Sequence, residues 1–280
     1  LTVDGSFCTG GAVFVVLLTG GVSLWLALLL AFLAGVATGL VTGLLHTACG
    51  IPAILAGILT QLALYSVNLA VMGMKATVAI NVTNAENLDR LLVSLRFVQD
   101  VANGTRPFYR HPIVVVSLAT LLLIAALYWF FGTALGCSLR ATGSNASMAR
   151  AQGINTNFSK VLGLMLSNGL VALSGALLAQ YNSAAEINMG RGAIVIGLAA
   201  VIIGEVLFSR LFRNFALKLA SVSIGAIIYY IVIQAVLAMG LNANYLKLLS
   251  AAVVAVFLAI PHWKSRYFTR PVRHGGDADA

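Results

Sequence analysis

Charge is what this sequence has least of: Asp, Glu, Lys and Arg make up 9% of 280 residues, against 60% hydrophobic. So small a polar share cannot cover a water-soluble globule of this length. The mean hydropathy of +0.97 points the same way, to an integral membrane protein. Catalytic patterns are missing too. There is no Gly-Lys dipeptide, hence no loop to cradle ATP phosphates, and neither HExxH nor GxSxG occurs. No two carboxylates stand within helical reach of each other inside an apolar run. An enzyme is disfavoured, and an intramembrane enzyme ranks last among the readings. The three cysteines, Cys8, Cys49 and Cys137, lie far apart with no histidine at ligand spacing, so no metal and no cofactor is expected.

Acidic residues are scarcer than basic ones, 8 against 17, for a net charge of +9. The Lys and Arg residues sit in loops between apolar runs and are not interleaved with aromatics, so no nucleic-acid partner is expected. The excess reports topology, because positive loops stay on the cytoplasmic side.

What is present is a series of apolar runs around one polar island. Residues 136–160, GCSLRATGSNASMARAQGINTNFSK, carry Arg140, Arg150 and Lys160 and no acidic residue. Within it, residues 145–152 read as a short helix stopped by Gly153, lying on the inner surface. Full spans are expected at 24–45, 51–73, 112–131, 161–181, 193–208, 217–239 and 245–260, each near the roughly 20 residues a bilayer needs. Run 193–208 is short and interrupted by Gly197 and Gly204. Run 12–19 is too short and meets Gly20-Gly21, so it reads as a broken half-helix, tolerated in a membrane only where protein or a cavity surrounds it. Gly35, Gly39 and Gly43, spaced by four, form a close-packing helix face. Pro52 opens the third run, where its missing N–H does least harm.

The fold class is therefore an all-α polytopic transmembrane bundle of about seven full spans plus one half-helix. The opening LTVDGSFCTG lacks the charged region and cleavage site of a signal peptide, and an upstream first helix is expected. Residues 1–262 read as one membrane domain, with an external loop at 74–111 and a basic cytoplasmic tail at 263–280. Inside the loop, 84–98 shows Leu88, Leu91, Leu92 and Leu95 at amphipathic spacing. Placing the island inside also puts 209–218 and the tail inside, and these three stretches hold ten of the seventeen Lys and Arg residues.

Polar side chains recur within the runs: Thr60, Gln61, Ser66 and Asn68; Ser167, Asn168, Ser174 and Gln180; and Gln234. Gln61 and Asn68 are seven apart and share a helical face, as do Ser167 and Ser174. Two readings stand for each: interhelical hydrogen bonding, worth about 0.6 to 2 kcal/mol per contact, or a polar seam passing a zwitterionic solute. Asp4 and Glu205 are the ionisable candidates. Asp4 either lines a pathway with Ser6 or caps a helix start.

The pattern LRATGSNASMARAQGIN, followed by SNGLVALSGALLAQYNSA and GLAAVIIGE, resembles the membrane subunits of ATP-binding-cassette importers, in the group of branched-chain amino acid and ribose permeases. LTVDGSF and GLLHTACGIPAILAGILTQLALYSVNLAVMG resemble a narrower branch, the permeases associated with solute-binding proteins of tryptophan-type importers. The resemblance implies a bacterial inner-membrane, multi-pass permease that works as a homodimer in the lipid bilayer. Its partners would be a cytoplasmic ATPase and an extracytoplasmic solute-binding protein. It also implies that Asn145, Ala146, Met148, Ala149, Arg150 and Gly153 form the ATPase-coupling segment. Asp4, Gln61, Asn68, Ser167, Asn168 and Gln234 are the translocation-path candidates. The alternative is a secondary transporter or channel that works without an ATPase.

Overall fold

The computed structural model describes residues 2–80, 91–94, 97, 98, 100, 111–208, 214–238, 248, 251, 252, 254 and 255. The expected span 245–260, the tail 263–280 and most of the amphipathic stretch 84–98 fall largely or wholly outside these residues. Nine helices occur among the described residues: α1 Val3–Thr19, α2 Leu24–Thr47, α3 Ala53–Val71, α4 Pro112–Gly132, α5 Ala134–Ser144, α6 Ala146–Ala151, α7 Thr156–Asn182, α8 Ala193–Phe208 and α9 Phe215–Ala238. Strands β1 (Thr77–Ala79) and β2 (Ala184–Glu186) pair antiparallel, with Val78 opposite Ala185. Among the described residues α2, α3, α4, α7 and α9 are long and apolar enough to cross a membrane, while α1 and α8 are shorter apolar helices. The chain is a polytopic all-α membrane protein.

The chain divides into two compact units, Leu1–Ile194 and Val195–Ala280. In the first, α7 is the central post, with α1 and α2 packed along it. Glycine makes this possible. A Cβ on Gly35 would strike Ala172, one on Gly39 the Leu164 carbonyl, and one on Gly43 would come within 3.1 Å of Val161. The order 35, 39, 43 against 172, 164, 161 makes the two helices antiparallel, with backbones as close as small residues allow. Gly10 meets the backbone of Ala172 and Gly175 that of Phe7 in the same manner, seating α1 on α7. The four-residue glycine spacing in α2 is thus a packing face, as its sequence indicates.

The half-helix expected at 12–19 is longer than the sequence suggests. α1 is continuous from Val3, and its polar opening, including Gly5, Ser6, Thr9 and Gly10, is buried. Small residues there pack closely, and the Thr9 hydroxyl donates to the Gly5 carbonyl at 2.9 Å, so the segment needs no water. Gly21 at φ +86° ends the helix, with Val22 N–H reaching the Leu17 carbonyl at 3.1 Å. The buried cluster Phe14, Val15, Leu18, Met72, Ile80, Phe97 and Ile187 closes that end of the unit.

In the second unit α8 and α9 meet through another glycine pair: Gly204 faces the Ser221 carbonyl and Gly225 the Ala200 carbonyl. Tyr229, Ile203, Ile233 and Val254 form its core.

Gly39→Val should destabilise the protein by roughly 1–3 kcal/mol or more, because backbone stands where the new side chain must go. Gly143→Ala, with nothing within 4 Å, should change stability by less than about 0.5 kcal/mol. Thermal unfolding in detergent, followed by loss of monodisperse protein, measures both.

Candidate functional site

Where α1, α2, α3 and α7 meet, the bundle interior is polar. The Ser6 hydroxyl donates to Asn168 Oδ1 at 2.8 Å and lies 2.8 Å from Thr38 Oγ1. One turn away Thr42 donates to Thr60 Oγ1 at 3.1 Å and lies 3.4 Å from Thr2 Oγ1. Asn168 Nδ2 donates back to the Leu164 carbonyl, and Asn68 Nδ2 to the Gly5 carbonyl at 3.3 Å. Thr2, Ser6, Thr38, Thr42, Thr60, Asn68 and Asn168 are all buried. Asn168 stands twelve residues beyond Thr156, about 18 Å along α7, so this seam runs through the middle of the bundle.

Beside the seam, the half-buried start of α8 meets α1. The Asp4 carboxylate accepts from Gly192 N–H and Ile194 N–H, each at 3.3 Å, and the Asp4 carbonyl packs against Gly190. Of the two sequence readings of Asp4, the cap is the contact seen. It caps a helix start far away in sequence, from a position two residues before Ser6 on α1. A carboxylate suits the place, since the first N–H groups of a helix carry its positive end.

The path candidates separate by position. Asp4, Asn68 and Asn168 belong to this interior, and half-buried Gln61 faces Gly5 of α1 from the same side of α3 as Asn68. Ser167 is exposed and its hydroxyl returns to the Leu164 carbonyl at 3.2 Å, while Ser174 returns to Val171. Gln234 is exposed on α9 and Glu205 on α8. Thr38 and Thr42 escaped the sequence reading because a threonine in an apolar run looks like any small helix residue. Gln180, noted only as a polar residue, is fully buried, and its Oε1 accepts from both Leu92 N–H at 2.9 Å and Val93 N–H at 2.8 Å. It ties the loop between α3 and α4 to the end of α7.

At the opposite end, the polar island folds as two helices, α5 and α6, rather than the one short helix expected. Thr133 caps α5, accepting from Gly136 N–H at 3.3 Å. Asn145 caps α6, accepting from Met148 N–H at 3.0 Å, and Asn155 caps α7 through Phe158 N–H. Gly153 at φ +80° stops α6, with Ile154 N–H bonded to the Ala149 carbonyl and Gly153 N–H to that of Arg150. Met148 is 63% exposed, and Ser147, Arg150 and Ala151 are exposed as well. Ala149 is 4% exposed and turned inward. The Arg150 guanidinium donates to Thr156 Oγ1 at 3.3 Å, holding α6 to the start of α7.

The family model described as branched-chain amino acid transport system / permease component matches residues 1–259. A tyrosine transport system permease protein of Clostridioides difficile (strain R20291) is 36% identical over 259 residues, covering 92% of this chain and 80% of that protein. Uncharacterized protein RP368 of Rickettsia prowazekii (strain Madrid E) is 33% identical over 262 residues, covering 92% and 86%. The autoinducer 2 import system permease protein LsrC of Yersinia pestis (strain Pestoides F) is 30% identical over 92 residues, 32% of this chain and 26% of that one. No solved structure matches.

Ser6→Ala and Asn168→Leu should each cost about 1 kcal/mol, and together less than their sum, because both remove one hydrogen bond. A double-mutant cycle on unfolding in detergent checks this. Strict additivity would show that the two side chains act independently.

Proposed function

We propose that this chain, which belongs to the branched-chain amino acid transport system permease family, is the membrane-spanning subunit of an ATP-driven importer for an amino acid. Permeases of this family are membrane subunits of transport systems and not enzymes. The observation that carries the reading is α6: a short helix capped at both ends, presenting Met148 outward, in a chain with no nucleotide-binding loop of its own. Energy must then enter from another subunit, and an adaptable apolar tip flanked by Arg150 suits docking into a groove.

In this reading Met148, Arg150 and Ala146 meet a cytoplasmic ATPase, Asn145 and Gly153 set where the helix starts and stops, and Ala149 seats it on its own protein. α6 packs on α5 and α7, so a push on it reaches the post to which α1 and α2 are bound. The solute, delivered by an extracytoplasmic binding protein, passes along the polar seam of Asp4, Gln61, Asn68 and Asn168. Ser167 and Gln234 are exposed on the single chain, and a second copy would enclose them. We place it in the inner (plasma) membrane of a bacterium, since the relatives come from bacteria. That the solute is an amino acid draws support from the tyrosine system permease of C. difficile. A self-sufficient secondary transporter would need a buried ionisable group free to exchange protons or cations, whereas both Asp4 oxygens are engaged and Glu205 is exposed.

The test is purification of the full-length protein from native membranes in mild detergent. An ATP-binding subunit should accompany the wild type, and Met148→Asp should reduce its recovery at least about tenfold, since a charge is buried in an apolar contact. Vesicles holding the complex and its binding protein should take up an amino acid only when ATP is inside. Absence of any ATPase across several mild detergents would refute the reading.

A further inference from the structure

The four helices that build the polar seam share one order along their length. Moving toward the end where α3 leaves for the 74–111 connection, α1 passes from Ser6 to Phe14, α3 from Asn68 to Met72, and α7 from Asn168 to Ala179. α2 runs the other way and passes from Thr38 back to Ala31. On each of them buried polar residues give way to buried apolar ones. The seam is thus covered at that end by an apolar cap, which stands in the way of a polar solute because it offers no hydrogen bonds in place of water.

Part of the cap is not built by these helices. Leu91, Val93, Ser94 and Phe97, from the connection between α3 and α4, are buried, Ser94 and Phe97 completely. Residues 91–94 are neither helix nor strand, so no ladder of backbone bonds secures them. A single side chain holds two of their amides: Gln180 Oε1 accepts from Leu92 N–H at 2.9 Å and from Val93 N–H at 2.8 Å. Gln180 stands twelve residues beyond Asn168, about 18 Å along α7. Two amides on one oxygen are lost together, since withdrawing that oxygen leaves both N–H groups without it in an apolar setting. The other end of the same side chain works against the attachment. Gln180 is fully buried, and its Nε2 has no hydrogen-bond partner among the described residues. The closed arrangement therefore carries an unmet donor, which costs part of what the two bonds contribute.

We propose that Leu91, Val93, Ser94 and Phe97 form a plug over one end of the polar seam and that Gln180 is its latch. In the closed form the plug completes the apolar cap. When it withdraws, the Leu92 and Val93 amides and the whole Gln180 side chain gain water, and the seam opens toward the side to which the charge pattern assigns the 74–111 loop, the outside. Gln180 is a positioning residue and touches no solute. The inference deepens the importer reading, on which it rests for the passage of a solute, by naming the part that must move before a solute can enter.

The test is hydrogen–deuterium exchange of the full chain in nanodiscs, without ATPase or binding protein, together with labelling of the native Cys8 by a water-soluble maleimide. Cys8 is buried on α1 between Ser6 and Phe14, and it reports access to the interior once the exposed Cys49 and Cys137 are replaced by serine. In wild type the Leu92 and Val93 amides should be protected and Cys8 slow to react. Gln180→Met, which keeps the side chain long and removes its oxygen, should speed both the exchange and the labelling at least about tenfold while α7 stays protected. Gln180→Glu, which keeps an acceptor, should speed neither. Unchanged exchange in Gln180→Met, or equal acceleration in both variants, overturns the latch. Faster exchange with Cys8 still slow overturns the plug, because the segment then covers no way in. If Gln180→Met does not fold or loosens α7 as well, wild type and Phe97→Ala decide: unprotected Leu92 and Val93 amides, or Cys8 no faster in Phe97→Ala, overturn the proposal. No readout involves ATP, so these failures leave the importer reading intact, and absence of an ATPase partner leaves the latch intact.

Discussion

A helix bundle in hydrocarbon gains little by hiding apolar side chains from water, because lipid is as apolar as leucine. What holds this one together is the close approach of backbones that glycine permits, above all along α2 and α7. Gly35, Gly39 and Gly43 on one side face Ala172, Leu164 and Val161 on the other, with no space for a Cβ at the first two. The polar interior of the first unit hangs from that contact. α1 seats on the same post through Gly10 and Gly175, and the polar seam exists only because α1, α2 and α7 come near enough for short hydroxyls to reach one another.

The second constraint is that polar groups inside the bundle find partners within it. Serine and threonine do so cheaply, by returning a bond to their own helix, as Thr9, Thr42 and Thr60 do. Long polar side chains must reach across. Asp4 reaches the start of α8, and Gln180 reaches Leu92 and Val93. Each fixes non-helical or helix-starting backbone from a distant part of the chain. The half-buried start of α8 and the loop segment on α7 therefore each depend on one side chain.

Much of this was legible in the sequence because it is written in local pattern. The long apolar runs give α2, α3, α4, α7 and α9. Asn145 and Gly153 bracket α6, and the four-residue glycine period marks a packing face. The rest was hidden for physical reasons. The opening of α1 has the composition of a loop, yet it folds as helix because Gly5, Ser6 and Gly10 let it pack where larger residues would be excluded. α5 lacks an apolar stripe, and its Thr133 cap is visible only once the helix is known. The pairs Ser6 with Asn168 and Asp4 with Ile194 are separated by more than 160 residues, and no local pattern encodes such a meeting. The division of ordinary exposure between Met148 and Ala149 was likewise out of reach, since it depends on which face of a one-turn helix meets α7.

The two kinds of contact differ in how they can give way. Backbone against backbone through glycine has a single close-packed arrangement, and sliding it by a fraction of a turn drives a carbonyl into a Cα. Hydroxyl and amide bonds exchange partners with little net loss, provided a new partner is at hand. α1, α2 and α7 are joined by the first kind and should move as one body. Asp4 at the start of α8 and Asn68 on Gly5 belong to the second kind, and their bonds, at 3.3 Å, are among the longer ones in the seam. A push delivered through α6 to α7 would thus be carried rigidly as far as α1 and relaxed where α1 meets α3 and the segment leading into α8. In the importer reading we propose, that boundary is where a solute in the seam would find the protein able to open.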